Sequence, residues 1–193
     1  ADLEFLLWDL QDAIAAYTQL SGTTLPRPID LEADDAGAVD GIVLAIEDMA
    51  DDETLTAIEQ ALERFGGTGT RVYAAIRAAQ QGTEQARETA VRLHKACERH
   101  NQLWCGGVAI CAGSGIAALR RSPRMGLLRR PFSEVMDKLV GAVRMGCSVE
   151  HAQKLSGAAT GGVDTDGMVR ATPALPTPIW HAVMRHLAEH SNC

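Results

Sequence analysis

Several short patterns in the chain combine residue types and spacings that can do chemistry. His186-Leu-Ala-Glu189-His190 sets two imidazoles four residues apart on one helix face, a spacing that holds zinc when a distant glutamate completes the set. Only Ser191-Asn192-Cys193 follow, and a solvated last helical turn, with histidines favoured by the helix dipole, accounts for the pattern. Gly113-Ser-Gly115-x-x-Ala118 fits the loose dinucleotide form G-x-G-x-x-A. The acid expected about 20 residues on, at the end of the next strand, is missing, since Asp137 stands near that distance within a helical pattern. A tight turn closing a strand is the simpler reading. Arg120, Arg121, Arg124, Arg129 and Arg130 can seize a phosphate, but beside Pro123 and Pro131 they read better as surface or interface arginines. The acids of Asp48–Glu53 offer oxygens to a divalent cation. They lack calcium-loop spacing and suit a helix N-terminus, with Asp51 or Asp52 as cap. Cys111 closes a strand with no histidine placed near it, which predicts a buried, inert thiol. Neither a catalytic side chain nor a metal site is predicted.

The elements that must position these residues are clearest in the middle of the chain. Arg71-Val-Tyr-Ala-Ala-Ile76 is a buried-strand run, and Thr83–His100 repeats Ala86, Ala90, Leu93 and Cys97 at helical spacing. Trp104 leads into a second strand, Cys105–Cys111, which closes on Ala112-Gly-Ser-Gly115. Strand, helix and strand of these lengths make a right-handed crossover in a parallel sheet, whose ligands sit beyond the carboxyl ends of its strands. Gly41–Ile46 adds a strand and Glu53–Phe65 a helix stopped by Gly66-Gly67. Ser133–Met145 predicts an amphipathic helix resuming through Val149–Leu155, Met168–Thr172 a short strand, and Ile179–His190 a helix with Pro178 at its start. Leu3–Leu10 reads as a strand and Asp12–Leu20 as a short helix ended by Ser21-Gly22. Pro26 and Pro28 make Thr23–Glu32 irregular, and Gly157–Gly167 is glycine-rich. The alternation predicts one domain over 1–193, an α/β fold of the three-layer α/β/α kind with a parallel sheet, incomplete or irregular in its first third.

Composition narrows the function. The 193 residues are 46% hydrophobic with a net charge of −7, and the sequence holds no apolar run of the roughly 18 residues that span a bilayer. No signal peptide is visible. Residues 1–65 carry sixteen acids against two arginines, Arg27 and Arg64; the remainder carries nine acids against sixteen Lys and Arg. The first third repels phosphates, which excludes nucleic acid as its partner. Five scattered cysteines without a C-x-x-C pair predict reduced thiols and a cytoplasmic location. Trp8, Trp104 and Trp180 read as core or interface anchors.

Taken in order, Val39-Asp-Gly-Ile-Val-Leu-Ala45, Arg71–Ile76, Leu103-Trp-Cys-Gly-Gly-Val-Ala-Ile110 and Gly126-Leu-Leu-Arg-Arg-Pro131 resemble the flavodoxin-like proteins, in particular their NAD(P)H-dependent FMN reductase branch. The resemblance covers roughly residues 39–140, and more faintly Pro178–Trp180; order and spacing carry it, since no single motif is diagnostic. It implies a flavin-binding redox protein, with FMN carrying electrons from NAD(P)H, and a homodimer or hetero-oligomer. The implied FMN contacts are the loop Glu47, Asp48, Met49 and Ala50 and the loop Arg77, Ala78, Ala79, Gln80, Gln81 and Gly82. Two departures stand out. Leu3–Leu10 is followed by Gln11-Asp12, where relatives place a Gly-Ser/Thr loop around the FMN phosphate. Leu3–Leu10 resembles the family's second strand at least as well as its first. On that reading the central strand and phosphate loop were lost, or come from residues not included or from another polypeptide. The loop after Ile46 also has five acids and no aromatic, and so disfavours a reduced, anionic flavin by charge repulsion. The alternative is a degenerate domain without flavin, serving as a non-catalytic subunit or interaction scaffold.

Overall fold

The computed structural model describes residues 2–22, 39–80, 82–156 and 167–190. Its strands are β1 (Val39–Glu47), β2 (Gly66–Ala78), β3 (Leu103–Cys111) and β4 (Met168–Ala171). They form one all-parallel sheet in the order β1-β2-β3-β4. The helices are α1 (Asp2–Ser21), α2 (Asp52–Phe65), α3 (Thr83–Arg99), α4 (Arg130–Met145), α5 (Val149–Leu155) and α6 (Thr177–His190), with a 3-10 turn over Ile116–Arg121. Layers of helix on both sides of the sheet make the three-layer α/β/α sandwich that the alternation predicts. The expectations for 23–38, 157–166 and Gln81 lie outside the described residues.

Two cores follow from the period-2 alternation of the strands. Val72, Ala74, Ile76 and Ala109 face α2 and α3, where Leu55, Ile58 and Leu62 meet Ala86, Ala90, Leu93 and Cys97. Tyr73, Ala75, Val108 and Ile110 face the other way, against α1, α4, α5 and α6. The Tyr73 hydroxyl lies between the carbonyls of Ala142 and Cys147, at 3.3 and 3.1 Å, which fixes the end of α4 to β2. Burial pushes that phenol's pKa up.

The first element departs from expectation. Leu3–Leu10 is not a strand but the start of the 20-residue helix α1, which also absorbs Asp12–Leu20. A short apolar run cannot be told from a buried helix by composition alone. Extended to Thr18, the buried positions Leu6, Leu10 and Ala13, with Phe5 and Asp9, trace a helical stripe rather than an alternation. Residues 2–21 are therefore one regular helix where the sequence predicts a strand and a short helix.

Local rules explain the tighter connections. Asp51 caps α2, its side chain accepting the Thr54 N–H at 2.8 Å. No loop separates α2 from β2: Gly66 donates its N–H to Leu62 O and is already extended. The Leu62 carbonyl also takes the Gln102 amide at 2.7 Å. In β3, Gly106 has a φ of +88° and the register with β2 shifts opposite it, a bulge that an L side chain resists. A Cβ on Gly107 would strike the Ala74 carbonyl.

Candidate functional site

The connections leave the sheet in opposite directions. β1 and β2 run into α2 and α3 on one face, whereas β3 runs into the 3-10 turn and α4, and β4 into α6, on the other. The loops therefore part between the carboxyl ends of β2 and β3, the end of a parallel α/β sheet at which ligands sit, although the strand order does not reverse at this point. The parting lies between Ala78–Gln80 on one side and Ala112–Gly115 on the other, which Gly113 N–H to Ala78 O joins at 3.0 Å.

The expected contact residues lie together at the neighbouring carboxyl ends of β1 and β2 instead, and Asp48 ties them. Its carboxylate accepts the Ala79 N–H at 2.9 Å, its N–H donates to Arg77 O at 2.9 Å, and its carbonyl accepts the Thr89 hydroxyl at 2.6 Å. Glu47 pairs with Arg77 at 2.8 Å. Gly82 leaves room for the Asp48 carboxylate, since a Cβ there would stand 2.5 Å from Asp48 Oδ2. Ala78 is buried beneath them. Met49 is exposed instead, and the Ala50 carbonyl faces Arg92 on α3 at 3.5 Å; these two belong to the turn into α2.

Two polar atoms of the β2 loop are conspicuous. Arg77 Nε, a donor, and Gln80 Oε1, an acceptor, are both buried without a hydrogen-bond partner among the described residues. Native structures rarely leave such atoms unmatched, and neither atom is open to solvent as the loops stand. On the α3 side, burial pushes the Cys111 thiol up to about 11, with Arg170 lowering it and Asp48 raising it. Cys111 is thus the inert thiol the sequence implies. Burial likewise pushes Cys97 up to about 12, and Cys97, Cys105, Cys111 and Cys147 are free.

Arg170 was not legible as part of this end of the sheet. The only sign is that it is the one charged residue in a four-residue strand, Met168–Ala171. Asp2 was missed for a different reason: it sits in α1, far away in sequence, yet its carboxylate accepts the N–H groups of Gly115 and Ala117 at 2.9 and 3.0 Å. The Gly113–Ala118 pattern is therefore a turn into a 3-10 helix whose amides are taken by the protein itself.

The remaining motifs resolve into structure. Arg124 and Arg129 converge on buried Asp9 beneath α1, Arg130 pairs with Glu134 at 2.7 Å, and Arg120 lies over the Trp8 ring. Trp180 is a core anchor, its indole N–H donating to Ala112 O at 2.9 Å. His186 and His190 approach each other on α6, with ring centroids 4.2 Å apart. Among the described residues no cluster of His, Cys, Asp and Glu is placed to hold a metal, and no helix is long and apolar enough to cross a membrane. Set against models of protein families, curated proteins and solved structures, the chain matches none of them.

Proposed function

We propose that the carboxyl end of β2 receives the ring edge of a flavin, FMN, and that the protein is a redox carrier reduced by NAD(P)H. The observation that carries this reading is the pair of buried, unmatched atoms at the carboxyl end of β2, Arg77 Nε and Gln80 Oε1. A flavin's pyrimidine edge offers a ring N–H beside ring carbonyls, so an acceptor and a donor three residues apart in sequence suit it. Gln80 Oε1 would accept the ring N–H and Arg77 Nε would donate to a carbonyl. The acids that argue against a reduced flavin are largely answered locally, Glu47 by Arg77 and Asp48 by the Ala79 N–H. Bound flavin supplies the electron and hydride chemistry; this chain supplies position and exclusion of water. The phosphate has no comparable holder among the described residues, because Asp2 takes the Gly115 and Ala117 amides. Affinity would then rest on the ring, and riboflavin would bind nearly as well as FMN. The resemblance to the FMN reductases supports the same ligand and an oligomer.

A second reading, a flavin-free subunit or interaction scaffold, is favoured by Asp48, which ties the loop after β1 to the loop after β2 and to α3. Titration of the purified protein with FMN, followed by absorption and gel filtration, separates the readings. The flavin is expected to co-elute with the protein, and Gln80→Leu to weaken binding by about fivefold, the loss of one hydrogen bond. Colourless protein that ignores added FMN overturns the first reading in favour of the second.

A further inference from the structure

We infer that the outer edge of β1 is a docking site for a strand from another polypeptide, an apolar β-branched segment with a lysine or arginine at each end. β1 is the last strand on its side of the sheet, and among the described residues nothing pairs with its outer edge. Strand edges are normally blunted by shortness, charge or proline, because a free row of N–H and C=O groups recruits other strands. The opposite edge obeys that rule: β4 has four residues, one of them Arg170. β1 does not. It has nine residues, and Gly41-Ile-Val-Leu-Ala-Ile46 carries no charge and no proline, the composition of a strand from the middle of a parallel sheet.

Packing points the same way. Ile42 and Leu44 contact the α2–α3 core while Val43 contacts the α1–α4 core, so helices serve both faces of the strand. Residues 42–45 nevertheless remain half-buried, whereas their β2 partners Val72–Ala75 are fully buried. The missing cover is lateral, and an added strand supplies it.

Charge selects the occupant. Asp40 and Glu47 bracket the apolar run, and Asp48 follows. A second copy pairing antiparallel about a two-fold axis at Val43 would set Asp40 of one chain against Ile46 of the other, and an axis at Leu44 would set it against Asp48, so that the carboxylate faces an apolar side chain or a like charge. A strand with basic ends meets Asp40 at one end and, at the other, Glu47, which Arg77 holds but which stays half exposed; the sixteen acids among residues 1–65 steer it in.

The docking does not depend on flavin, and its test reads backbone amides rather than colour. The full chain is mixed with the synthetic peptide Lys-Val-Thr-Val-Ile-Val-Thr-Lys, and amide hydrogen exchange is followed residue by residue. Every second amide of β1 is expected to slow by about tenfold at saturation, the mark of new strand pairing. A peptide N-methylated at alternate positions should leave them unchanged, and Asp40→Lys should weaken binding several-fold at low salt. Three results each overturn the inference: β1 amides already slow at every position without peptide, equal slowing by the N-methylated peptide, or no slowing at all. Protection of β1 that rises with protein concentration alone would assign the edge to a second copy and overturn it too.

Discussion

On one face of the sheet, α2 and α3 pack through alanines and a few leucines, and charge appears only at the rim, in Arg92–Asp52 at 2.6 Å and in Arg99–Glu59. On the other face, charge is inside. Asp9 on α1 is 1% exposed and takes both Arg129, 4% exposed, and Arg124, which also reaches Asp137 on α4. The Arg129 guanidinium lies against the rings of Phe5 and Trp8, 5.5 and 4.9 Å from their centroids. An apolar stripe fits many rotations of a helix almost equally well. A buried carboxylate flanked by two guanidinia fits one, so the ions fix how α1 sits on α4 while α2 and α3 are fixed by shape alone.

The sharpest way to break this contrast is Asp9→Ala. It leaves Arg129 buried without its carboxylate, and chemical denaturation should report a loss of about 3–5 kcal/mol. An unchanged midpoint would mean the arginines find other partners and the cluster fixes nothing. Asp137 comes next and behaves differently with pH. Its pKa is raised, burial outweighing the attraction of Arg124. The unfolded chain therefore releases this proton first, so stability from this group falls as pH climbs through the ordinary carboxylate range to the raised value, and is level beyond it. Asp137→Asn should flatten that fall in denaturation curves taken across mild acid, at a cost near neutrality of no more than about 1 kcal/mol. A steeper acid dependence in the variant would reverse the assignment. Smallest of all, Glu59→Gln on the opposite face removes an exposed pair and should move the midpoint by under about 0.5 kcal/mol.

The same contrast explains what could be read from the chain beforehand. α2, α3 and the strands between them repeat with clean periods and bury what the pattern says, so Glu53–Phe65 and Thr83–His100 were legible to within a residue or two. α1 was not, because Asp9 interrupts its apolar stripe and is explained only by Arg124 and Arg129, more than a hundred residues later. The candidate site was legible in its loops, since parallel strands fix where ligands sit. Its tie points, Asp48 to Ala79 and Asp2 to Gly115, are contacts at long range that no spacing announces.

The direct passage from Phe65 to Gly66 has a consequence for how this domain can vary. With helix and strand fused back to back, the chain holds no slack at that corner. One inserted residue would turn β2 over, sending Tyr73 toward α3 and Val72 toward α1. At the far end of the same strand an extra residue is taken up by a turn. A change of chain length is thus absorbed at the carboxyl end of β2 and refused at the opposite corner.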